Sequence, residues 1–220
     1  TIIVTDHHEI PYEEVESEKQ YILPPADAVI DPKQQTCAYP FKELCGAGVA
    51  YKVIEALFGA CGKDIEDVDY LMENVAIATV GDVMDLVGEN RIFVKQGLEM
   101  LKRTNNLGLR ALMECTGVPV ERLSAYHIGF IIGPCLNASG RLDTAQRAIE
   151  LLLCTEPGKA HEMAQELREL NEERKNMTDT EAKKAIEMVE GTDLYEDNVL
   201  VVYLLSLIHI SEPTRQAEIS

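Results

Sequence analysis

The first five residues, "TIIVT", form an unbroken run of β-branched side chains. A strand with one solvent-exposed face alternates apolar and polar residues, whereas a strand buried on both faces of a parallel sheet is apolar throughout. A second run, "ADAVIDP" at 26–32, predicts another short strand that Pro32 stops. The chain is therefore expected to begin in an α/β sheet.

After residue 45 the pattern predicts mostly helices. "GAGVAYKVIEALFG" (46–59) spaces its apolar residues as a helix does, and Gly59 is a plausible stop. Its glycines do not complete the G-x-G-x-x-G dinucleotide pattern, because Tyr51 stands at the third position. Further helices are predicted over about 67–80, 89–104, 107–117 and 143–154, with Asp143 as an N-cap.

Two later segments have distinctive patterns. Gly133 and Pro134 are expected to break a helix that starts near Ser124, leaving a polar loop, "CLNASGRL". The segment 157–190 predicts one helix of roughly 50 Å at about 1.5 Å per residue, a strut between domains with a possible break near Thr178–Asp179. The acidic stretches 13–18 and 162–190 are interpreted as solvated helices, and 198–203 as a new strand.

An acid and two imidazoles follow the first strand directly, at Asp6, His7 and His8. Functional sites in parallel sheets collect at the carboxyl ends of strands. Imidazole and carboxylate are ligands of divalent transition metals, and an adjacent acid can also orient an imidazole. The sequence indicates a metal site here; a polar strand end with incidental histidines is the alternative.

Two further stretches could contribute to such a site. Asp82 follows Gly81 at the end of an apolar helical run, a placement that suits metal ligation or a solvated helix end. Asn137 and Arg141 lie in the predicted polar loop, where backbone N–H groups and a guanidinium could contact phosphate. A plain connection between helices is the alternative for that loop.

Charge and cysteines limit the function classes. A net charge of −18 counts against a bare nucleic-acid-binding surface, because such binding needs cationic side chains. The six cysteines form no Cys-x-x-Cys pair, so a zinc knuckle is not expected, and their scatter suits a reducing cytoplasm. No apolar run reaches the ~20 residues of a membrane helix.

Taken in order, "IVTDHH", "YPFKELCGAGVAYKV", "ATVGDVMDLVGENRIFVKQGL", "GPCLNASGRLDTAQRAIELLL" and "LNEERK" resemble the DHH phosphoesterase superfamily and, within it, the RecJ-type exonucleases. The resemblance covers about residues 1–203. It implies a metal-dependent 5′ to 3′ single-stranded-DNA exonuclease of DNA repair and recombination, with two Mn²⁺ or Mg²⁺ ions and single-stranded DNA as partner.

The resemblance also implies roles for individual residues. His7 and Asp82 would be metal ligands, His8 would lie against the metal or the scissile phosphate, and Asp6 would bind the metal or orient a ligand. Asn137 and Arg141 would face the substrate strand. The family's earlier aspartate motifs, its glycine-rich second lobe and its oligonucleotide-binding domain have no counterpart in the sequence.

The resemblance divides residues 1–203 into three parts. Residues 1–155 would be the C-terminal part of a DHH-type parallel-sheet lobe, 156–191 a long connecting helix, and 192–203 the start of a second lobe. The composition changes from about Leu204, so 204–220 is interpreted as a foreign, adaptor-like tail, with a genuine C-terminal strand as the alternative. The fragment alone is expected to be inactive. The alternatives are another DHH phosphoesterase, acting on oligoribonucleotides, cyclic dinucleotides or pyrophosphate, and a non-catalytic acidic helical interaction protein.

Overall fold

The structure, a computed structural model, describes residues 1–142 and 144–190, apart from the side chains of Ile65 and Asp67. The strands are β1 (Ile3–Thr5), β2 (Tyr12–Val15), β3 (Glu18–Tyr21) and β4 (Ala28–Ile30). The helices are α1 (Gly46–Ala60), α2 (Met72–Gly81), α3 (Gly88–Leu101), α4 (Leu107–Cys115), α5 (Ala125–His127), α6 (Gly133–Leu142), α7 (Gln146–Leu152) and α8 (Pro157–Glu190). Short 3₁₀ helices span Ile65–Leu71 and Val120–Arg122, and a π-helical turn spans Ile128–Ile132.

The two predicted strands form a small parallel sheet, but the prediction that the first is buried on both faces is wrong, because Ile2 and Ile3 are 61% and 59% exposed. β1 pairs with β4 in a register that places Ile3 opposite Ala28 and Thr5 opposite Ile30. The chain is thus helix-rich with a small parallel sheet, as expected of an α/β protein, and its described part is mostly helical after residue 45.

The segment between these strands corrects one prediction, because residues 13–18 are not helical. They belong to an antiparallel hairpin of β2 and β3, whose two-residue turn holds Glu16 at φ 53° and Ser17 at φ 71°. Positive φ at both positions is the mark of the tight turn that suits a twisted hairpin. The rings of Tyr12 and Tyr21 lie 5.8 Å apart across the strands, so cross-strand contact outweighs the acidic composition.

The chain divides into two compact units. The first comprises Thr1–Thr104 and Pro119–Gly133, and the second comprises Asn105–Val118 and the described residues from Pro134 to Glu190. In the first unit, α1, α2 and α3 pack around a core of buried side chains: Leu44, Val49, Tyr51, Met72, Val75 and Phe93. The predicted helix over 67–80 divides there into the 3₁₀ helix and α2.

Helices α4, α7 and α8 pack together in the second unit, around buried residues that include Leu109, Leu112, Leu151 and Leu167. The predicted long helix is confirmed as α8, and it runs without a break through Thr178–Asp179. The Thr178 hydroxyl donates back to the Arg174 carbonyl at 3.0 Å, which lets a threonine sit inside a helix.

The predicted break at Gly133–Pro134 is wrong, because helical structure runs from Ala125 to Leu142. The N–H of Gly133 bonds to the Ile128 carbonyl five residues back, which is the wider π pattern. Pro134, which has no N–H to donate, follows directly after this wider turn, where the regular i to i−4 bonding is already interrupted. The polar segment predicted as a loop is therefore helix.

Several predictions fall outside the described residues: the N-cap role of Asp143, the strand at 198–203 and the foreign tail at 204–220. Among the helices that the structure does describe, none combines the length and apolar character needed to cross a membrane.

Candidate metal centre

The site begins at the carboxyl edge of the parallel pair. Thr5 lies opposite Ile30, and the next residues along the two strands are Asp6 and Asp31. The Asp6 N–H donates to the Ile30 carbonyl at 3.0 Å, which extends the pairing by one bond. Two acids therefore leave the sheet side by side at the edge where sites of parallel sheets are built.

A single oxygen of Asp6 organises the turn that follows β1. Asp6 Oδ1 accepts the backbone N–H groups of His7 at 2.7 Å and His8 at 3.3 Å, and it lies 2.7 Å from Nδ1 of the His8 ring. Partial burial pushes the pKa of Asp6 up, but these hydrogen bonds and the His8 charge together outweigh it and hold the pKa below its ordinary value. Asp6 is therefore set up as a carboxylate that orients an imidazole.

The His7 ring lies between β1, α1 and the end of α2. Its Nε2 is 3.5 Å from Oδ2 of Asp82, and its ring centre is 4.3 Å from that of His8. A Cβ on Gly46, the first residue of α1, would lie 3.4 Å from the His7 ring, an ordinary van der Waals contact, so the ring packs against the start of α1.

Asp82 is held at the carboxyl end of α2. Its N–H donates to the Ala78 carbonyl at 2.8 Å, and the next residue, Val83, takes φ 57° to leave the helix. The turn directs the half-exposed carboxylate toward His7 rather than along the helix. The structure therefore brings Asp82 and His7 together.

The donor set fits a hard to borderline divalent cation. Asp6, His7 and His8 each offer a ligand atom, and these atoms all lie within 4.8 Å of one another. Two imidazoles with carboxylates suit Mn²⁺, and carboxylates alone suit Mg²⁺. His7 and Asp82 are the pair that would hold the ion, and Asp6 would set the orientation of His8.

Asp31 is a residue of this edge that the sequence reasoning missed. It is only 2% exposed and follows β4 as Asp6 follows β1. The signal that singled out Asp6, an acid directly after a strand of a parallel sheet, also applies to the Asp of "AVIDP".

Asn137 and Arg141 lie elsewhere, on α6 in the second unit, and both are exposed. Because this segment is helical, its backbone N–H groups past the first turn bond within the helix, so the predicted phosphate-cradling loop does not exist. Any contact with substrate would come from the two side chains.

Known proteins place these features in a family. No family model matches the chain. A single-stranded-DNA-specific exonuclease RecJ from Bacillus subtilis is 40% identical over 200 residues, covering 91% of this chain and 24% of that protein. RecJ from Haemophilus influenzae is 37% identical over 205 residues, covering 89% of this chain and 34% of that protein. The chain thus spans about a quarter to a third of the length of these relatives.

Solved structures of RecJ are also similar to this chain. The crystal structure of RecJ from Thermus thermophilus in complex with Mn²⁺ matches with a TM-score of 0.68 and 31% identity, over 83% of this chain and 26% of that chain. A crystal structure of exonuclease RecJ bound to manganese matches with a TM-score of 0.71 and 32% identity, over 84% of this chain and 44% of that chain.

Proposed function

We propose, from the membership of this chain in the RecJ family, that it forms part of a metal-dependent exonuclease that degrades single-stranded DNA from 5′ to 3′ in repair and recombination. The observation that carries the proposal is the Asp6–His7–His8 turn with Asp82 closing on His7 at 3.5 Å. The RecJ proteins from Bacillus subtilis and Haemophilus influenzae, 40% and 37% identical to this chain over the aligned residues, are named as exonucleases specific for single-stranded DNA.

The cofactor we propose is Mn²⁺ or Mg²⁺, with two ions in the complete enzyme, since RecJ structures hold these metals. Such ions lower the pKa of bound water and neutralise charge on the phosphate during in-line displacement. His7 and Asp82 would bind the cation. Asp6, by accepting a hydrogen bond from Nδ1 of His8, would leave the Nε2 lone pair of the neutral ring to bind the metal, whereas a protonated ring would donate its Nε2–H to a phosphate oxygen.

At the level of the fold, we propose that residues 1–155 are the C-terminal part of a DHH-type lobe and that α8 connects it to a second lobe. The parallel pair with its acids at the carboxyl edge and the 34-residue length of α8 support this assignment. Asn137 and Arg141 would face the DNA strand from α6. An exposed amide and an exposed guanidinium are suited to phosphate and sugar contacts.

We also place the enzyme in the cytoplasm. All six cysteines lie among the described residues, and each is a free thiol, as expected under reducing conditions.

The decisive test uses the complete protein that contains this chain and a single-stranded oligonucleotide labelled at either end. Mn²⁺ should support stepwise release of nucleotides from the 5′ end, and EDTA should abolish it. His7→Ala and Asp82→Asn should each lower the rate at least about 100-fold, at or beyond the upper end of losses seen for residues that only orient a metal ligand.

The matched control is His161→Ala, which removes an exposed imidazole from α8 and should keep the wild-type rate. Cleavage that persists in EDTA, or that survives His7→Ala at the wild-type rate, would overturn the proposed function. Release of nucleotides only from short oligoribonucleotides would indicate another DHH phosphoesterase instead.

A further inference from the structure

Among the described side chains, Asp31 leaves a buried carboxylate oxygen, Oδ2, without a hydrogen-bond partner. The residue is 2% exposed at the carboxyl end of β4. Burying an ionised oxygen without a partner is costly, and such oxygens are rare unless a cation or water satisfies them. The arrangement therefore needs an explanation beyond packing.

The local turn does not require the second oxygen. Oδ1 of Asp31 accepts the backbone N–H of Lys33 at 2.7 Å, and the Asp31 carbonyl accepts the N–H of Gln34 at 3.3 Å. An asparagine could cap the same turn with its side-chain oxygen. The Lys33 ammonium is 2.8 Å from Glu9, so its ion pair is with that acid.

Asp31 leaves the same sheet edge as Asp6, next to the Asp6–His7–His8 group whose ligand atoms lie within 4.8 Å of one another. Asp31 and Asp6 follow paired residues of β4 and β1, on strands that lie about 4.8 Å apart in such sheets. Burial raises the pKa of Asp31; the charge of Asp6 adds to this, while the charge of His7 acts in the opposite direction. The charges of Asp6 and His7 therefore act on the Asp31 carboxyl group.

We propose that Asp31 is a further residue of the cation site, and that its unpartnered Oδ2 binds the divalent cation held by His7 and Asp82, directly or through one of the cation's water ligands. The proposal rests on the proposed metal-dependent function. A cation beside Asp6 and Asp31 would offset the repulsion between the two carboxylates and satisfy the buried oxygen.

The test is Asp31→Asn in the complete protein, measured by calorimetric titration with Mn²⁺ and by thermal unfolding in EDTA. The amide oxygen keeps the turn cap to Lys33, while the charge and the acceptor at Oδ2 are lost. We expect Mn²⁺ to bind at least about tenfold more weakly, within the range for residues supporting a metal site. In EDTA the melting temperature should be unchanged or higher, because an unpartnered buried charge has been removed.

Asp64→Asn is the matched control, because Asp64 also caps a turn, accepting the Glu66 N–H at 3.2 Å, but is exposed. It should leave Mn²⁺ affinity unchanged. Unchanged Mn²⁺ affinity in Asp31→Asn, with or without a lower melting temperature, would show that Asp31 only caps its turn.

His7→Ala separates this inference from the proposed function. If His7→Ala weakens Mn²⁺ binding and Asp31→Asn does not, the metal centre stands and the role of Asp31 is wrong. If the wild-type protein binds no Mn²⁺, both proposals fail together.

Discussion

Asp6 shows how one side chain can define a site. Its Oδ1 accepts two backbone N–H groups and lies 2.7 Å from the His8 ring, so the same oxygen shapes the turn and aims the imidazole. The charge matters for the second task more than for the first, because a neutral amide oxygen can also accept backbone hydrogen bonds.

Asp6→Asn should therefore separate the two tasks. The turn should persist, with a melting temperature in EDTA close to the wild-type value, while exonuclease activity should fall about 10–100-fold because His8 loses its charged partner. Activity assays and thermal unfolding on the same preparations check this. A variant with the wild-type rate would show that His8 needs no orientation by Asp6.

Glu73 gives a prediction about pH. It is 6% exposed on α2, and its Oε1 accepts the Thr104 hydroxyl at 2.9 Å. Burial raises the pKa of Glu73, and the hydrogen bond from Thr104 lowers it by less, so the pKa stays above its ordinary value. The folded state therefore holds the proton more tightly than the unfolded chain. As the pH rises from the ordinary pKa through the folded pKa, the fold must lose stability.

Glu73→Gln keeps the acceptor for Thr104 and removes the charge. The variant should melt at a higher temperature than the wild type at neutral pH, and the difference should vanish below the ordinary pKa of a glutamate. Melting curves between pH 4 and 8 test this, with exposed Glu114→Gln as the control. If the difference in melting temperature between wild type and Glu73→Gln did not change with pH, the prediction would be wrong.

At the scale of elements, the close approach of α2 and α3 depends on Gly97. A Cβ at Gly97 would lie 2.7 Å from the Met72 carbonyl oxygen and would also collide with the Ala76 side chain. These are rigid groups on a neighbouring helix, so an added methyl must push the helices apart.

Gly97→Ala should therefore lower the free energy of unfolding by about 1–3 kcal/mol, despite the better helix propensity of alanine. Gly59→Ala, in α1 with nothing within 4 Å of the new Cβ, should instead be neutral or stabilise by up to about 1 kcal/mol. Urea unfolding of both variants is the measurement. If Gly97→Ala had the wild-type free energy of unfolding, α2 and α3 would be able to move apart without loss of stability.

The elements also show what the sequence could and could not predict. The strands at 3–5 and 28–30 and the helices α1, α3 and α8 follow from run length and apolar spacing. The hairpin was not predicted, because the acidic residues of 13–18 were interpreted as a solvated helix and the contact between Tyr12 and Tyr21 forms only once the strands pair. The helix through Pro134 was not predicted, because the sequence did not show the π-helical turn that precedes the proline.

The candidate site divides in the same way. Asp6, His7, His8 and Asp82 were predicted as one cluster from short motifs in a particular order, and the structure brings them together. Asp31 was not singled out, although it follows its strand as Asp6 does, and its burial and unpartnered oxygen become visible only once β4 is paired with β1.

At the scale of the whole molecule, the cluster must be compared with what the chemistry needs. Two octahedral cations take about twelve ligands between them, several of them water. The named residues here, with one oxygen or nitrogen each, supply fewer than half of these. The chain also carries a net charge of −18, which repels a DNA strand.

The 220-residue chain by itself should therefore release nucleotides from single-stranded DNA far more slowly than the complete protein, at a rate indistinguishable from the EDTA control. Parallel assays of both proteins in Mn²⁺ at low salt check this. Comparable rates for the two would show that this quarter to third of a RecJ length is catalytically sufficient.

The hairpin of β2 and β3 has a practical consequence. Its strand residues pair with each other and are all exposed, while the register of β1 and β4 is set by their own pairing. The connection from the end of β1 to the start of β4 can thus carry added mass at its Glu16–Ser17 tip without changing the register of either strand. A fluorophore attached to this separate two-stranded sheet would label the chain between Asp6 and Asp31 without replacing a residue of the candidate cation site.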